Sequence, residues 1–259
     1  MSATVGERIL AYLRRTDEAI VDEVRPTEHG AALLTPSLPL VWQLNAVRVD
    51  DPSAGPETVA SEAERVLADL GHRKLVVHDP ELGRRLAPPL AADGWNVYRL
   101  LVMVRDRPAE RAAAIGTGAQ VDRDTGAATL AAFRREQPFG WQETAVEQLA
   151  AMDERYGACT RARDFAAPPA DPACACRLYC ADGLAQVDEV GTLEQRRNQG
   201  HASAAVLAAA DAAAAEGCDP VFLLTDAGDW PQGWYRRLGF SPAGSVYEFL
   251  KLPLGSPRP

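Results

Sequence analysis

The chain has 259 residues, of which 47% are hydrophobic and 24% charged, and a formal net charge of -9. That length admits one large domain or two ordinary ones, and the balance is that of a soluble globular protein. The negative charge weighs against sequence-independent nucleic-acid binding, no apolar run is long enough to cross a bilayer, and the N-terminus lacks a signal-peptide core, so a cytoplasmic protein engaging neither nucleic acid nor membrane is expected.

In chain order, Thr4–Ile20 places Ile9, Leu10, Tyr12, Leu13 and Ile20 at near-helical intervals and predicts an amphipathic helix. A connection punctuated by Pro, Gly and Thr leads to a strand over Val41–Val49, and Asp50–Pro56 is a loop. Glu57–Leu70 predicts a helix, Lys74–His78 a strand, Pro80–Ala92 a helix disturbed by Pro88 and Pro89, and Trp95–Val104 a closing strand. Arg105–Gln120, rich in charge, Ala and Gly, is the expected linker.

The second half opens with a short strand at Gln120–Asp122 and helices over Gly126–Glu136 and Gln142–Tyr156, separated by Gln137–Trp141. Ala166–Pro172 is Pro/Ala-rich and predicts a loop, and Cys174–Cys180 and Leu184–Leu193 form a hairpin whose Asp182-Gly183 pair suits a tight turn. The cysteines Cys174, Cys176 and Cys180 lack metal-site spacing and have no nearby histidine. They are expected to pack one side of a strand, and no metal is expected.

The hairpin delivers the chain to Glu194-Gln195-Arg196-Arg197-Asn198-Gln199-Gly200-His201-Ala202-Ser203, and an alanine-rich helix to Glu216 follows, stopped by Gly217. A helix start offers unpaired N–H groups and partial positive charge, glycine admits close approach of the backbone, and Arg196 and Arg197 add guanidinium donors. Such a turn suits a pyrophosphate. The glycine spacing matches neither the dinucleotide fingerprint nor the nucleoside-triphosphate loop.

Arg197-x-x-Gly200-x-Ala202 instead resembles the [QR]-x-x-G-x-[GA] signature of the GNAT family of N-acetyltransferases. Trp234-Tyr235-Arg236-Arg237-Leu238-Gly239-Phe240 resembles the family's [LF]-Y-x-x-L-G-F segment, in the family's order and at about its separation. The resemblance covers Gly118–Pro253 and implies acetyl-coenzyme A as co-substrate. It implies cofactor contacts from Arg196, Arg197, Asn198, Gln199, Gly200, His201, Ala202 and Ser203, and from the backbone of Val190 and Thr192 where the fourth strand splays from the fifth. It also implies acceptor contacts from Phe139 and Trp141, with helix packing as their alternative role.

Acetyl transfer needs a neutral amine, a polarised thioester and a proton for the departing thiolate. By resemblance Tyr235 is the acid. The family's best-known base position falls on Gln186, which cannot accept a proton, so Glu189 or Asp188, directly or through a water, is the expected base, and Glu189 is named beside Tyr235 as catalytic. Direct attack by an already neutral amine is the alternative. His201 can donate to phosphate, Asp226 and Asp229 are expected to cap the helix carrying Tyr235, and Arg236 and Arg237 are a solvated face or reach the coenzyme 3′-phosphate.

The halves show an offset: Gly71 and Gly217 stand 146 positions apart, Asp79 and Asp226 147, and Gly94-Trp95 and Gly239-Phe240 145. The N-terminal half thus resembles a degenerate GNAT-like unit, in which the basic turn is replaced by Asp50-Asp51-Pro52-Ser53-Ala54-Gly55-Pro56 and should not hold coenzyme A. The reading is an α/β (α+β) tandem GNAT-like fold, each half a mixed, mostly antiparallel central sheet flanked by helices. Residues 1–112 form the degenerate domain and 118–253 the acetyltransferase domain. A monomer or homodimer acting on a small-molecule or protein amine is expected, with a coenzyme-A-binding sensor lacking turnover as the alternative.

Overall fold

A computed structural model describes residues 3–110 and 117–252. Positions 111–116 of the expected linker, and residue 253 at the end of the second expected domain, lie outside the described residues. In chain order the elements are α1 (Val5–Ala19), β1 (Glu23–Pro26), β2 (Gly30–Leu34), a 3-10 turn (Trp42–Leu44), β3 (Ala46–Val49), α2 (Pro56–Val66), β4 (Arg73–Val77), α3 (Pro80–Ala92) and β5 (Asn96–Arg105). They continue with β6 (Ala119–Val121), α4 (Arg123–Arg135), α5 (Glu143–Cys159), β7 (Arg161–Ala167), β8 (Cys174–Ala181), β9 (Leu184–Thr192), a 3-10 turn (Glu194–Arg196), α6 (His201–Ala215), β10 (Val221–Asp226), α7 (Pro231–Arg237) and β11 (Phe240–Lys251). Among the described residues no helix is long and apolar enough to cross a membrane.

Two compact units form: an N-terminal unit of Gly6–Val102 with Thr225–Asp229 and residues 243–252, and a C-terminal unit of Met103–Leu224 with Trp230–Pro242. The expected boundaries at 112 and 118 follow the chain, whereas the compact units follow the sheet and give most of β11 to the N-terminal unit.

In the N-terminal unit the strands run β1-β2-β3-β4-β11-β5. β1–β2, β2–β3 and β4–β11 are antiparallel, and β3–β4 is parallel. Side chains alternate across a strand, so Leu75, Val77, Tyr247 and Phe249 share one face with Val47 and Val49. Val59 and Ala63 of α2, and Leu82, Leu86 and Leu90 of α3, are buried against them. Full burial of each large side chain contributes about 1.5–3 kcal/mol.

In the C-terminal unit the order is β10-β9-β8-β7-β6. The four strands β6 to β9 meander antiparallel, and β10 adds in parallel beside β9. Helix α6 turns Ala205, Ala209, Ala210 and Ala213 inward, and these small side chains are fully buried. Cys174, Cys176 and Cys180 are buried on β8.

Four elements depart from the sequence expectation. The connection before residue 41 contains the hairpin β1–β2; β1 is exposed at every position and carries no alternation to read. The strand expected over Val41–Val49 is a 3-10 turn followed by the shorter β3. β7 lies where no strand was expected, overlapping the start of the loop assigned to Ala166–Pro172, because its Asp164 is buried as the partner of Arg177. Pro88 and Pro89 do not break α3: they sit on its exposed side, where a helix can open slightly toward solvent.

Candidate active site

The basic turn is built as a strand end, a 3-10 turn and a helix start. Leu193 N–H bonds Ala173 O, tying the end of β9 to the β8 side, and Glu194–Arg196 then turns the chain. Gly200 caps α6 with φ +83, a left-handed conformation that L side chains rarely adopt; Asn198 is also left-handed, at φ +61. A Cβ at Gly200 would meet nothing within 4 Å, so within the protein it is backbone conformation, not crowding, that requires glycine. No side chain caps α6, and Ala204 N–H is the first to bond back, to Gly200 O. The amides of His201, Ala202 and Ser203 therefore open on the turn with the positive end of the helix dipole. Around them Arg197 is exposed and reaches Thr192 O at 3.4 Å, and Arg196 meets exposed Asp171 at 3.1 Å. His201 Nε2 lies 3.3 Å from Gln199 Oε1.

β9 and β10 separate before this turn. Their parallel register covers Ala185–Gln186 against Val221–Phe222, although β9 continues to Thr192 and β10 to Asp226. Val190 and Thr192 lie in the part of β9 beyond that register. β9 also carries a bulge: Asp188 pairs with Arg177 and Gly191 with Ala175, so Glu189 and Val190 together oppose Cys176, and Glu189 takes φ +52.

A buried ionic network pins the bulge. Arg134 of α4 grips Asp153 of α5 through two bonds of 2.8 and 3.0 Å and reaches Glu189 Oε2 at 2.5 Å. Arg177, 1% exposed, holds Asp153 at 2.6 Å and Asp164 at 2.7 Å. Glu189 is therefore engaged by a guanidinium as an ion pair. Asp188 stands differently. Its carboxyl is pushed up to about 7, first by desolvation and then by repulsion from Glu189, while Gln186 Nε2 donates to it at 2.9 Å and the Glu189 amide at 2.9 Å. Gln186 is buried, and its Oε1 accepts no hydrogen bond among the described residues.

Tyr235 is buried on α7, against Trp234 with ring centroids 4.5 Å apart and edge-on to Phe240 at 6.0 Å. Its phenol is pushed well up, first by burial and then by Cys176, Asp188 and Cys174, so it holds its proton. Trp234 Nε1 donates to Ser203 Oγ at 2.9 Å, joining α7 to the first turn of α6.

Phe139 and Trp141 lie between α4 and α5. Glu136 at the end of α4 accepts from Glu194 N–H at 2.8 Å, and a Cβ on Gly191 would strike the Phe133 ring at 2.4 Å, so this connection lies beside the end of β9. Phe139 is half-buried, whereas Trp141 is 74% exposed and does not serve mainly to pack the helices. Asp226 and Asp229 do not cap α7: its N-cap is Trp230 without a side-chain bond, and Asp226 Oδ1 accepts from Gly228 N–H at 2.8 Å, closing a local turn. Arg236 and Arg237 are exposed, and Arg237 bonds Gly233 O. Arg134 and Gly191 lie outside the residues expected at the site, and Trp234 was expected only as part of the Trp234–Phe240 match. The lone glycine inside a strand was a usable signal of close approach; the pairing of one arginine of Arg134-Arg135 with residues 19 and 55 positions away was not.

No protein-family model matches the chain, and no curated protein does. Solved structures do. A conserved protein of unknown function from Staphylococcus epidermidis ATCC 12228 aligns over 90% of this chain and 96% of its own, with 18% identity and a TM-score of 0.61. A GCN5-related N-acetyltransferase from Kribbella flavida aligns over 98% of both chains, with 20% identity and a TM-score of 0.60. Another, from Sphaerobacter thermophilus, aligns over 76% of this chain and 64% of its own, with 18% identity and a TM-score of 0.52. At these identities the likeness is one of fold, and the fold is that of the GCN5-related N-acetyltransferases.

Proposed function

We propose that the C-terminal unit is an acetyl-coenzyme-A-dependent N-acetyltransferase acting on an amine. The observation that carries this is the conjunction of an uncapped α6 start, with its left-handed Gly200, and a β9 that leaves its partner β10 just before it. The donors suit the ligand: main-chain amides of residues 201–203 and the guanidiniums of Arg196 and Arg197 bind pyrophosphate oxygens, and the backbone of Val190 and Thr192 takes the pantetheine amides.

Asp188 serves this reading as base better than Glu189 does. A carboxyl held near neutrality accepts a proton from an ammonium and releases it again, whereas Glu189 is already engaged by Arg134. Gln186 orients Asp188, and its free Oε1 offers an acceptor to the incoming N–H. As the amine nitrogen bonds the thioester carbon and the carbon–sulfur bond breaks, Asp188 takes the amine proton and Tyr235 gives its own to the departing sulfur. Phe139 and Trp141 supply an apolar wall for the acceptor, a small molecule or the end of a protein chain. The coenzyme-binding sensor without turnover is favoured by one feature, glutamine rather than glutamate at 186.

Calorimetry with acetyl-coenzyme A, followed by an amine panel assayed for thiol release, tests both readings. Binding with turnover is expected; binding without turnover leaves the sensor, and absence of binding rejects both. Tyr235→Phe is expected to lower kcat about tenfold or more with little change in coenzyme affinity, and unchanged kcat would reduce Tyr235 to a packing residue.

A further inference from the structure

The N-terminal unit lacks the basic turn but has a cavity of its own, about 290 Å³, on the sheet face opposite the apolar cluster. Strand alternation puts Lys74, Glu248 and Leu250 on this face while Leu75 and Phe249 point the other way. Half-buried Trp42 and Tyr98 form aromatic walls, and Asp226 completes the polar lining. Lys74 is 5% exposed, and its Nζ lies 2.8 Å from Glu248 Oε2, so these two charges cancel. Asp226 accepts Gly228 N–H on Oδ1 at 2.8 Å, a neutral donor that leaves its charge uncompensated. The cations nearest this face are committed or absent. Arg48 is taken by Glu18 at 2.8 Å and Asp50 at 3.1 Å, and burial holds His78 neutral above about pH 4.

We infer that this cavity binds a compact organic ammonium, a primary amine carried on an aromatic or alkyl group. The lining charges sum to one uncompensated carboxylate, and aromatic faces attract cations through their quadrupoles. An anion would meet two carboxylates and one lysine that is already paired. Lys74 is buried and Glu248 half-buried, and such a pair holds a fold together little better than apolar residues of the same size, so packing alone does not account for them here. The volume is at the low end for small-molecule sites, which selects a compact ligand. This inference does not rest on the coenzyme reading.

Titration calorimetry on the full chain with benzylammonium chloride, against phenylacetate and benzyl alcohol, tests it. Binding of the ammonium alone is expected, weakened about tenfold or more by Asp226→Asn and separately by Tyr98→Ala, and unchanged by Val24→Ala at an exposed position outside the cavity. The amide oxygen introduced by Asp226→Asn can still accept from Gly228 N–H, and thermal melts report folding of each variant, so a defect in one leaves the other informative. The inference is overturned if benzylammonium does not bind at about 10 mM, if phenylacetate binds as well, if neither Asp226→Asn nor Tyr98→Ala weakens it, or if Val24→Ala alone does.

Discussion

Each unit contains a strand, a turn and a helix in the same order, and the two turns are built oppositely. In the N-terminal unit, between β3 and α2, the charged side chains of the turn are claimed by the protein itself, although Gly55 leaves α2 without a side-chain cap. Asp50 receives Arg48 and Arg14, Asp51 receives Ser53 and His29, His29 O receives the amides of both aspartates, and Arg85 donates to Pro52 O and Ala54 O. Hydrogen bonds from Ser53 and then His29 draw the Asp51 carboxyl down to about 2, so the turn stays anionic. α2 also begins with Pro56, which has no N–H to offer. In the C-terminal unit α6 likewise starts without a side-chain cap, but with His201 rather than a proline at its first position, beside the basic Arg196 and Arg197, and residues 197–200 are exposed. An acidic turn and a basic one thus share the same order of elements, and on the proposed reading only the basic one suits phosphate.

The comparison breaks most completely at Gly200. Gly200→Glu adds negative charge to the anion site and forces a side chain into φ +83, a combined cost of about 4 kcal/mol or roughly a thousandfold in acetyl-coenzyme A affinity. Gly55→Glu, at φ -89 at the start of α2, should leave that affinity unchanged. Calorimetry on the two variants decides it: equal losses, or none in Gly200→Glu, would remove the α6 start from the binding site.

The next effect is sharper in meaning and somewhat smaller in size. Asp188→Asn keeps hydrogen-bonding capacity toward Gln186 while removing the titrating proton, and is expected to lower kcat about a hundredfold with coenzyme affinity retained. The pH profile of kcat/KM in the native protein should rise through about 7 as Asp188 loses its proton, and the variant should lose that limb. A profile that keeps its limb without Asp188 would return the proton to the amine itself or to another group.

The basic turn was legible because its signal is local: spacing of Arg197, Gly200 and Ala202, a preceding strand and an alanine-rich helix all lie within one short stretch. The short helix that carries Tyr235 was legible for the same reason. What escaped was decided by distant pairing. Nothing around Glu189 announces that Arg134 will hold it, nor that a bulge will give Asp188 and Glu189 different surroundings. β1 and β7 escaped because an exposed edge strand and a strand with a buried Asp164 lack the alternation that marks a half-buried strand. The transfer of residues 243–252 to the N-terminal unit is likewise invisible to periodicity, since a strand pattern does not name its neighbour.

The smallest expected effect concerns the N-terminal unit's buried charges and how stability varies with pH. Asp17 is pushed up to about 7, first by burial and then by Glu248, against the opposing pull of Lys74 and Arg48. The folded state then binds more protons than the unfolded state between about pH 4 and 7, so Asp17 costs stability as pH rises through that window. His72 and His78 act in the other sense. Burial draws both down to about 4, so the unfolded state binds more protons between about pH 4 and 6.5 and stability climbs there. Asp188 of the C-terminal unit adds a second falling contribution, so the native profile should be nearly flat from pH 4 to 7. Asp17→Asn removes one falling arm and leaves the two histidines opposed by Asp188 alone. Because the Asp17 side chain is 27% exposed, the full shift is discounted to about 1–2 kcal/mol, gained by the variant at pH 8 relative to pH 5. Urea unfolding at pH 5, 6.5 and 8 measures it, and parallel curves for native and variant would mean that Asp17 is already charged in the folded protein.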